Sequence, residues 1–532
     1  DAGTITQQLE QLKQRELPIP VFPKQIEKVV ELPPLDPAKS VLINELVFEG
    51  NESIPSTRLN IHFANSVGQK LDFARMKNLT EQVQDFYQKE GLWVKAILPQ
   101  QTLENGKLII RIFEGRLGKI LIETALPEGE ELRFSEDRIR EFIVNGQEVG
   151  KTFSIVAFEE AVKNLNAVPG ISATAVLRAG ENQGETDVVI NAANAPMVAG
   201  SFGLDRNGGD GTGYNQGTLS ASFDGLFGVG DQVTTMLMKS KELEVKSLGG
   251  SFPLSHGGVR LGLNATDVRM SKEPLSRSIL VNISKPFSQS VDFNATGTAS
   301  LTRNFTWTGS DKNQQKDADV LVLNSVFSWP STLLGFDSVN SVNLTMTSGW
   351  QYLHANNNPD SKDFGRAGLY GKLGFNLNKT ISLTSVDQLA FTLMGQYALN
   401  NLESREKFGI TGLAAVRAYP AGEVSGDHGY FFSAQYQRQL NSFVNVRTYF
   451  DHGFVQENQN PWSTEKDNAG KNTYPQFSGV GVGATINHPK FSINADLATR
   501  LGNNPFAASD TGKDQDGTLK KVRAWLSVTI PF

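Results

Sequence analysis

The last eleven residues, VRAWLSVTIPF over 522–532, constrain the fold of this chain more than any other segment. Val522, Ala524, Leu526, Val528, Ile530 and Phe532 share one parity, a two-residue period with an apolar face that closes on a C-terminal aromatic. Comparable alternation recurs through the last third of the chain. Nowhere does a run approach the roughly 18 consecutive apolar residues that a membrane-spanning helix needs. Such a chain crosses a bilayer only as a closed barrel, because an open sheet edge in lipid would leave backbone amides unpaired.

The chain has 532 residues, enough for several domains. A net charge of −6 and a mean hydropathy of −0.28 suit a barrel with a polar lumen, whose lipid face uses only alternate residues. Bulk basicity is absent, which argues against a nucleic-acid partner. The chain contains no cysteine, in keeping with an oxidising compartment. It begins Asp1-Ala2-Gly3, as expected of a mature protein after signal-peptide removal.

Four segments precede or make up the barrel. Residues 1–17 are expected to carry a short polar helix over 4–17. Thr4 and Gln7 have capping-box spacing, and Ile5, Leu9 and Leu12 form one apolar stripe. It reads either as a marginal terminal helix or as a polar rod suited to a hydrated lumen, a plug. Residues 18–40 are a linker stiffened by Pro18, Pro20, Pro23, Pro33, Pro34 and Pro37. At about 3.1 Å per residue it spans on the order of 70 Å. Residues 41–195 hold an internal repeat, in which VQDFYQKEG over 83–91 aligns with VKNLNAVPG over 162–170 at an offset of 79 residues. Both copies, 41–115 and 116–195, read β-α-α-β-β, with opening strands at Val41–Phe48 and Lys119–Glu123. A three-stranded sheet of this kind leaves an edge that can accept an added strand.

Residues 196–532 are expected to form an antiparallel barrel of sixteen strands, making the fold mainly β. In Tyr430–Gln439, the residues Tyr430, Phe432, Ala434 and Tyr436 oppose Ser433, Gln435, Gln437 and Gln439. Short connections such as Asn378–Ile381, Leu440–Ser442 and Asn487–Lys490 suit the periplasmic end, and long polar ones suit the extracellular end. An even strand count returns both ends of the barrel to the periplasmic side.

One connection, over 401–428, breaks the pattern. Its middle, GLAAVRAY over 412–419, is small and apolar, which suits a loop folded back into the lumen with Arg417 inside. In the strand after next, Val444, Val446 and Phe450 share the lipid parity, which turns Asn445, Arg447, Tyr449 and Asp451 inward. An inward Arg417 and an inward Asp451 would pair bidentately.

Val416-Arg417-Ala418-Tyr419 resembles the VRGY/F motif, and Phe450-Asp451-His452-Gly453 the F-x-D-x-G motif, of the Omp85/TpsB superfamily. Ala418 stands where that motif usually has glycine, a small-for-small change. The order of polar helix, Pro-rich linker, two POTRA-like repeats and sixteen-stranded barrel is similar to the TpsB arrangement and covers the whole chain. Within the family, similarity runs to the contact-dependent-inhibition, haemagglutinin and haemolysin transporters.

The resemblance implies a two-partner secretion translocator in the bacterial outer membrane, in contact with outer-membrane lipids and working as a monomer. Its POTRA domains would bind the N-terminal secretion domain of a large unfolded exoprotein, a toxin, adhesin or haemolysin. The terminal helix and sixth loop would gate the pore, with the Arg417–Asp451 salt bridge holding the loop to the barrel wall. No nucleotide, cofactor or metal is implied. Two other readings remain, an outer-membrane protein assembly factor of the same superfamily and a passive porin-like channel. An enzyme is disfavoured, since His62, His256, His354, His428, His452 and His488 are scattered without metal-ligand spacing.

Overall fold

The computed structural model describes residues 40–532 apart from 125, 128, 183, 210, 272–274, 291, 309–313, 354–364, 462–473 and 509. The terminal helix expected over 4–17, with Ile5, Leu9 and Leu12, and nearly all of the Pro-rich linker lie outside the described residues.

The first copy of the repeat contains β1 (Val41–Leu42), β2 (Glu45–Glu49), α1 (Ser56–His62), β3 (Lys70–Leu71), α2 (Phe73–Lys89), β4 (Val94–Ile97) and β5 (Lys107–Glu114). Strands β2, β5 and β4 form a mixed sheet in that order, parallel between β2 and β5. The opening strand expected over Val41–Phe48 is split, because β1 turns aside to pair with β3. Asp72 caps α2 by accepting a bond from the Arg75 amide at 2.9 Å. The inner stripe Met76, Leu79, Val83, Phe86 is buried against Leu46, Leu108 and Ile110 of the sheet.

The second copy repeats this plan with β6 (Arg116–Thr124), α3 (Glu136–Gly146), α4 (Ile155–Asn166), β7 (Ile171–Ala179) and β8 (Glu185–Asn194), in sheet order β6-β8-β7. Phe158 and Leu165 of α4 and Ile139, Phe142 and Ile143 of α3 cover Val188 and Ile190. Backbone bonds join the two units: the Trp93 amide donates to Phe153 and the Ile155 amide to Gly91, at 3.2 and 2.8 Å.

The remaining strands are β9 (Val198–Asp205), β10 (Gln216–Asp224), β11 (Gln232–Ser240), β12 (Leu243–Pro253), β13 (Arg260–Met270), β14 (Ser276–Gln289), β15 (Asn294–Thr308) and β16 (Gln314–Leu333). They continue with β17 (Phe336–Leu353), β18 (Gly368–Ser382), β19 (Asp387–Ala398), β20 (Phe408–Gly409), β21 (Ser425–Gly426), β22 (His428–Gln439), β23 (Val444–Gln456), β24 (Gln476–His488), β25 (Phe491–Leu501) and β26 (Val522–Pro531). All but β20 and β21 pair antiparallel in one closed barrel, sixteen strands among the described residues. Closure leaves no edge for lipid to strip of hydrogen bonds. The β26–β9 seam runs from Ser527↔Asp205 to Pro531↔Ser201 and is extended by reciprocal bonds between Phe532 and Gly200.

Side-chain parity sorts each strand as a membrane barrel requires. On β16, Leu321 and Leu323 are exposed outward, while Val320 is buried inside and Asn324 bonds Asn343 in the lumen. The short connection expected over Asn378–Ile381 is instead the end of β18, and the chain turns at 383–386. Polar inward residues at 378 and 380 had the look of a turn, but they are lumen positions of the strand.

The second α/β unit sits on the turn end of the barrel. The Arg133 guanidinium donates to the Asp224 carbonyl at 2.9 Å and also to the Ala195 carbonyl. Lys163 donates to the Gln289 carbonyl at 2.8 Å. Gly230 has a φ of +80°, and a Cβ there would meet Val168 at 2.3 Å, so this approach demands glycine.

Candidate functional site: a loop locked inside the barrel

Between β19 and β22 the chain turns inward instead of running out over the rim. Its ends meet in the two-residue ladder β20–β21, and the segment between them is almost wholly buried. Ile410, Ala415, Val416, Ala418 and Tyr419 pack with Phe431, Tyr449, Phe477 and Ala498 of the wall into one apolar cluster. This explains the small apolar composition of the loop: it has a dry side.

Arg417 projects from this cluster onto β23. Its Nη2 and Nε donate to Asp451 Oδ1 and Oδ2 at 2.7 and 2.8 Å, a two-pronged contact with side chains only 4% and 1% exposed. The Arg417 amide adds a bond to Asp451 Oδ2 at 3.2 Å. Ser433 on β22 donates to Asp451 Oδ1 at 2.8 Å and accepts from Arg417 Nη2 at 3.2 Å. The guanidinium carbon lies 3.2 Å from the centre of the Tyr449 ring, a cation–π contact. Asp496 on β25 stands 3.8 Å from Nη1 and also pairs with Arg447. Trp525 on β26 donates to the Arg417 carbonyl at 2.8 Å. Buried charge is tolerable only when paired and fully hydrogen-bonded, and here both conditions hold.

Of the residues singled out in the sequence, Val416, Arg417, Ala418, Tyr419, Asp451 and Gly453 meet in this one place. Gly453 leaves room for the loop, since a Cβ there would lie 3.1–3.2 Å from Ile410 and Val416. Tyr419 stacks edge-on against Phe477 at 4.7 Å. Phe450 is not part of the contact and points outward, exposed on the lipid face. His452 also faces away from Asp451, bonding Ser478 and Tyr430. Among the described residues no group of three His, Asp or Glu side chains is placed to hold a metal.

Several partners were not joined to Arg417 from the sequence: strand parity turns Ser433 and Tyr449 inward without linking them to it, and Asp496 and Trp525 were not connected to this site. Their signal was present in Gly479, Gly481 and Gly483, alternate glycines on the inner face of β24. A Cβ on each would lie within about 2.7 Å of Ala418, Tyr449 and the Arg447–Asp496 pair in turn. Glycine at every second position of a strand marks a close approach by other groups.

Two further connections fasten the loop. Between β25 and β26 the chain folds inward, and Glu423 accepts from Asn504 Nδ2 at 2.6 Å and from the Gln515 amide at 3.1 Å. Asp514 bridges Arg500 and Arg523, and Asp516 also binds Arg523. Burial pushes the carboxyls of Asp514 and Asp516 upward, but guanidinium hydrogen bonds outweigh it and hold both below the usual range. At the loop's root, Lys407 donates to Asn458, Asp427 accepts from the Gln459 amide, and Lys372 pairs with Glu406.

Two families match parts of the chain: "POTRA domain, ShlB-type" over residues 41–115 and "Haemolysin secretion/activation protein ShlB/FhaC/HecB" over 327–486. The heme/hemopexin transporter protein HuxB of Haemophilus influenzae Rd is 23% identical over 493 residues, 86% of this chain and 83% of HuxB. The outer membrane transporter CdiB of Escherichia coli O6:K15:H31 is 27% identical over 190 residues, 36% of this chain and 31% of CdiB. The solved structure of CdiB from Escherichia coli superposes with a TM-score of 0.75 at 18% identity, covering 100% of this chain and 98% of that one.

Proposed function

From the premise that this chain is an outer-membrane transporter of the TpsB/Omp85 superfamily, related to ShlB and CdiB, we propose that it exports one large, unfolded exoprotein from periplasm to cell surface. The observation that carries this reading is the loop held inside the barrel by the Arg417–Asp451 contact, above an α/β unit docked on the periplasmic rim. A passive pore needs neither feature.

In this reading residues 1–17 are a plug helix, 18–40 a tether, 41–115 and 116–195 two POTRA domains, and 196–532 the barrel. The matching plan of the two α/β units supports treating both as POTRA domains. They take up the N-terminal secretion domain of the exoprotein, a toxin, adhesin or haemolysin, by adding a strand of it to a sheet edge. The plug helix and the 401–428 loop gate the lumen, with Arg417 and Asp451 as the loop's fastening. A hydrated lumen keeps an extended chain solvated, and folding outside supplies the drive without ATP. The transporter works as a monomer and uses no cofactor.

The test is a pull-down of the full-length transporter with the N-terminal domain of a large candidate exoprotein from the same genome. Binding is expected for the whole chain and is expected to vanish when 41–195 are removed; capture by the barrel alone would refute the assignment. Deleting residues 1–17 should raise single-channel conductance in planar bilayers, and unchanged currents would remove the plug role.

A further inference from the structure

The lipid-facing wall carries a polar cluster that the transport reading leaves unused. Lys379 of β18 shares its outward parity with exposed Leu373 and Phe375, whereas Asn376 is buried inside. Asn340 and Ser338 of β17 share theirs with exposed Leu344 and Met346, and Ser331 of β16 shares its own with Leu321 and Leu323. The register sets them side by side, with Asn340 opposite Lys379 and Ser331 opposite Ser338. Lys379 Nζ donates to Asn340 Oδ1 at 2.8 Å and to the hydroxyls of Ser331 and Ser338 at 3.3 Å each. Asn340 donates in turn to Ser331 at 2.8 Å.

Every acceptor around this ammonium is neutral. Among the described residues no carboxylate lies within ion-pair distance of Lys379, whereas Arg438 on the same rim has Asp387. A full positive charge is therefore uncompensated on a face that otherwise meets lipid. Its depth is set by the chain: Lys379 lies four residues from the 383–386 turn, on the side where the second α/β unit docks. Above it runs the apolar band of Val342, Leu344 and Met346. Below it the β16–β17 hairpin ends in an apolar tip, with Leu334 89% exposed. One strand away, opposite Phe391, begins an apolar groove on the outer wall lined by Leu389, Phe391, Ala434, Tyr436 and Phe450.

We propose that Lys379, Asn340, Ser338 and Ser331 form a binding site for the phosphate diester of an anionic glycerophospholipid in the periplasmic leaflet. The two 3.3 Å contacts lie past the usual limit for a good N–H···O bond, and a charged phosphate oxygen is a stronger acceptor than a hydroxyl. The Ser331 and Ser338 hydroxyls and the Asn340 amide bond one another and the neighbouring backbone and hold the ammonium in place, which leaves Lys379 as the donor to the phosphate, and the adjacent groove takes an acyl chain. The site needs only the barrel in its membrane and does not depend on the identity of the exported protein.

Native mass spectrometry of the full chain in detergent tests this, titrating phosphatidylglycerol, phosphatidylcholine and inorganic phosphate separately. One tightly retained phosphatidylglycerol is expected, weakened about fivefold by Lys379→Gln, the contribution of one lysine near an anionic surface. Lys379→Arg should retain it, and Lys285→Gln, a rim lysine beside Phe287 without hydroxyl partners, should leave it unchanged. Equal retention of phosphatidylglycerol and phosphatidylcholine by the wild type would overturn the proposal, as would unaltered binding by Lys379→Gln. Displacement by millimolar inorganic phosphate would overturn the lipid assignment. Should Lys379→Gln fail to fold, the wild-type lipid comparison still decides.

Discussion

Arg417 is held from four strands at once: by Asp451 and Tyr449 on β23, Ser433 on β22, Asp496 on β25 and Trp525 on β26. Removing Asp451 leaves a buried guanidinium with only partial compensation, a loss of about 3–5 kcal/mol in loop anchoring. Arg417→Ala or Asp451→Ala should therefore impair export and speed proteolysis within 401–428, measured on whole cells with surface-added protease. Arg417→Lys should recover little, because an ammonium cannot make the two-pronged contact or lie flat on Tyr449. Wild-type export and protease resistance in both alanine variants would dismiss the fastening. The core of this arrangement was legible, since motif and strand parity point Arg417 and Asp451 at each other. Asp496 and Trp525 were not: their parity is readable, but which inward residues share a level depends on the stagger of β23 to β26, which alternation does not encode.

At the scale of elements, the connection between β25 and β26 reads in the sequence as one more long polar loop. Its polarity is used internally, with Asp514 and Asp516 clamped by Arg500 and Arg523, and Asn504 and the Gln515 amide bonded to Glu423 of the neighbouring loop. Both aspartates have folded-state pKa values below the usual one of about 3.9. Their contribution is complete above that pH and is lost as pH falls through it toward the folded values. Glu423 runs the other way: burial raises its pKa, so its protonated form suits the fold and its contribution declines as pH rises through that raised value. Protease access to 502–521 should consequently rise when pH drops from about 5 to about 3. The Asp514→Asn, Asp516→Asn double variant should show the raised access already at pH 7. Equal cleavage at all pH values in the wild type would refute the clamp.

Across the whole molecule, the large-scale plan was the easiest part to read. Two-residue alternation fixes which face of each strand meets lipid, and an even count returns both ends to one side. Strand ends were harder, as Asn378–Ile381 shows, because inward polar residues and turn residues draw on the same types. The seat of the second α/β unit had no sequence signal at all. It rests on backbone carbonyls reached by Arg133 and on a glycine, Gly230, that admits Val168, features that composition does not distinguish from any surface arginine or turn. Arg133→Ala should loosen that seat without unfolding either part. Limited proteolysis between 180 and 200 should accelerate severalfold while heat-modifiable gel migration of the barrel stays the same. Unchanged cleavage would mean that the remaining rim contacts suffice.

The alternate glycines of β24 bear on how the inward loop can leave. Gly479 on β24 and Gly453 on β23 put bare main chain beneath Ala418, Ile410 and Val416, so at these points no side chain of the wall is hooked behind the loop. Such a boundary parts by sliding, with friction concentrated where charge meets charge. A latch of that design stays shut against thermal jostling, yet opens once its few polar grips are loosened.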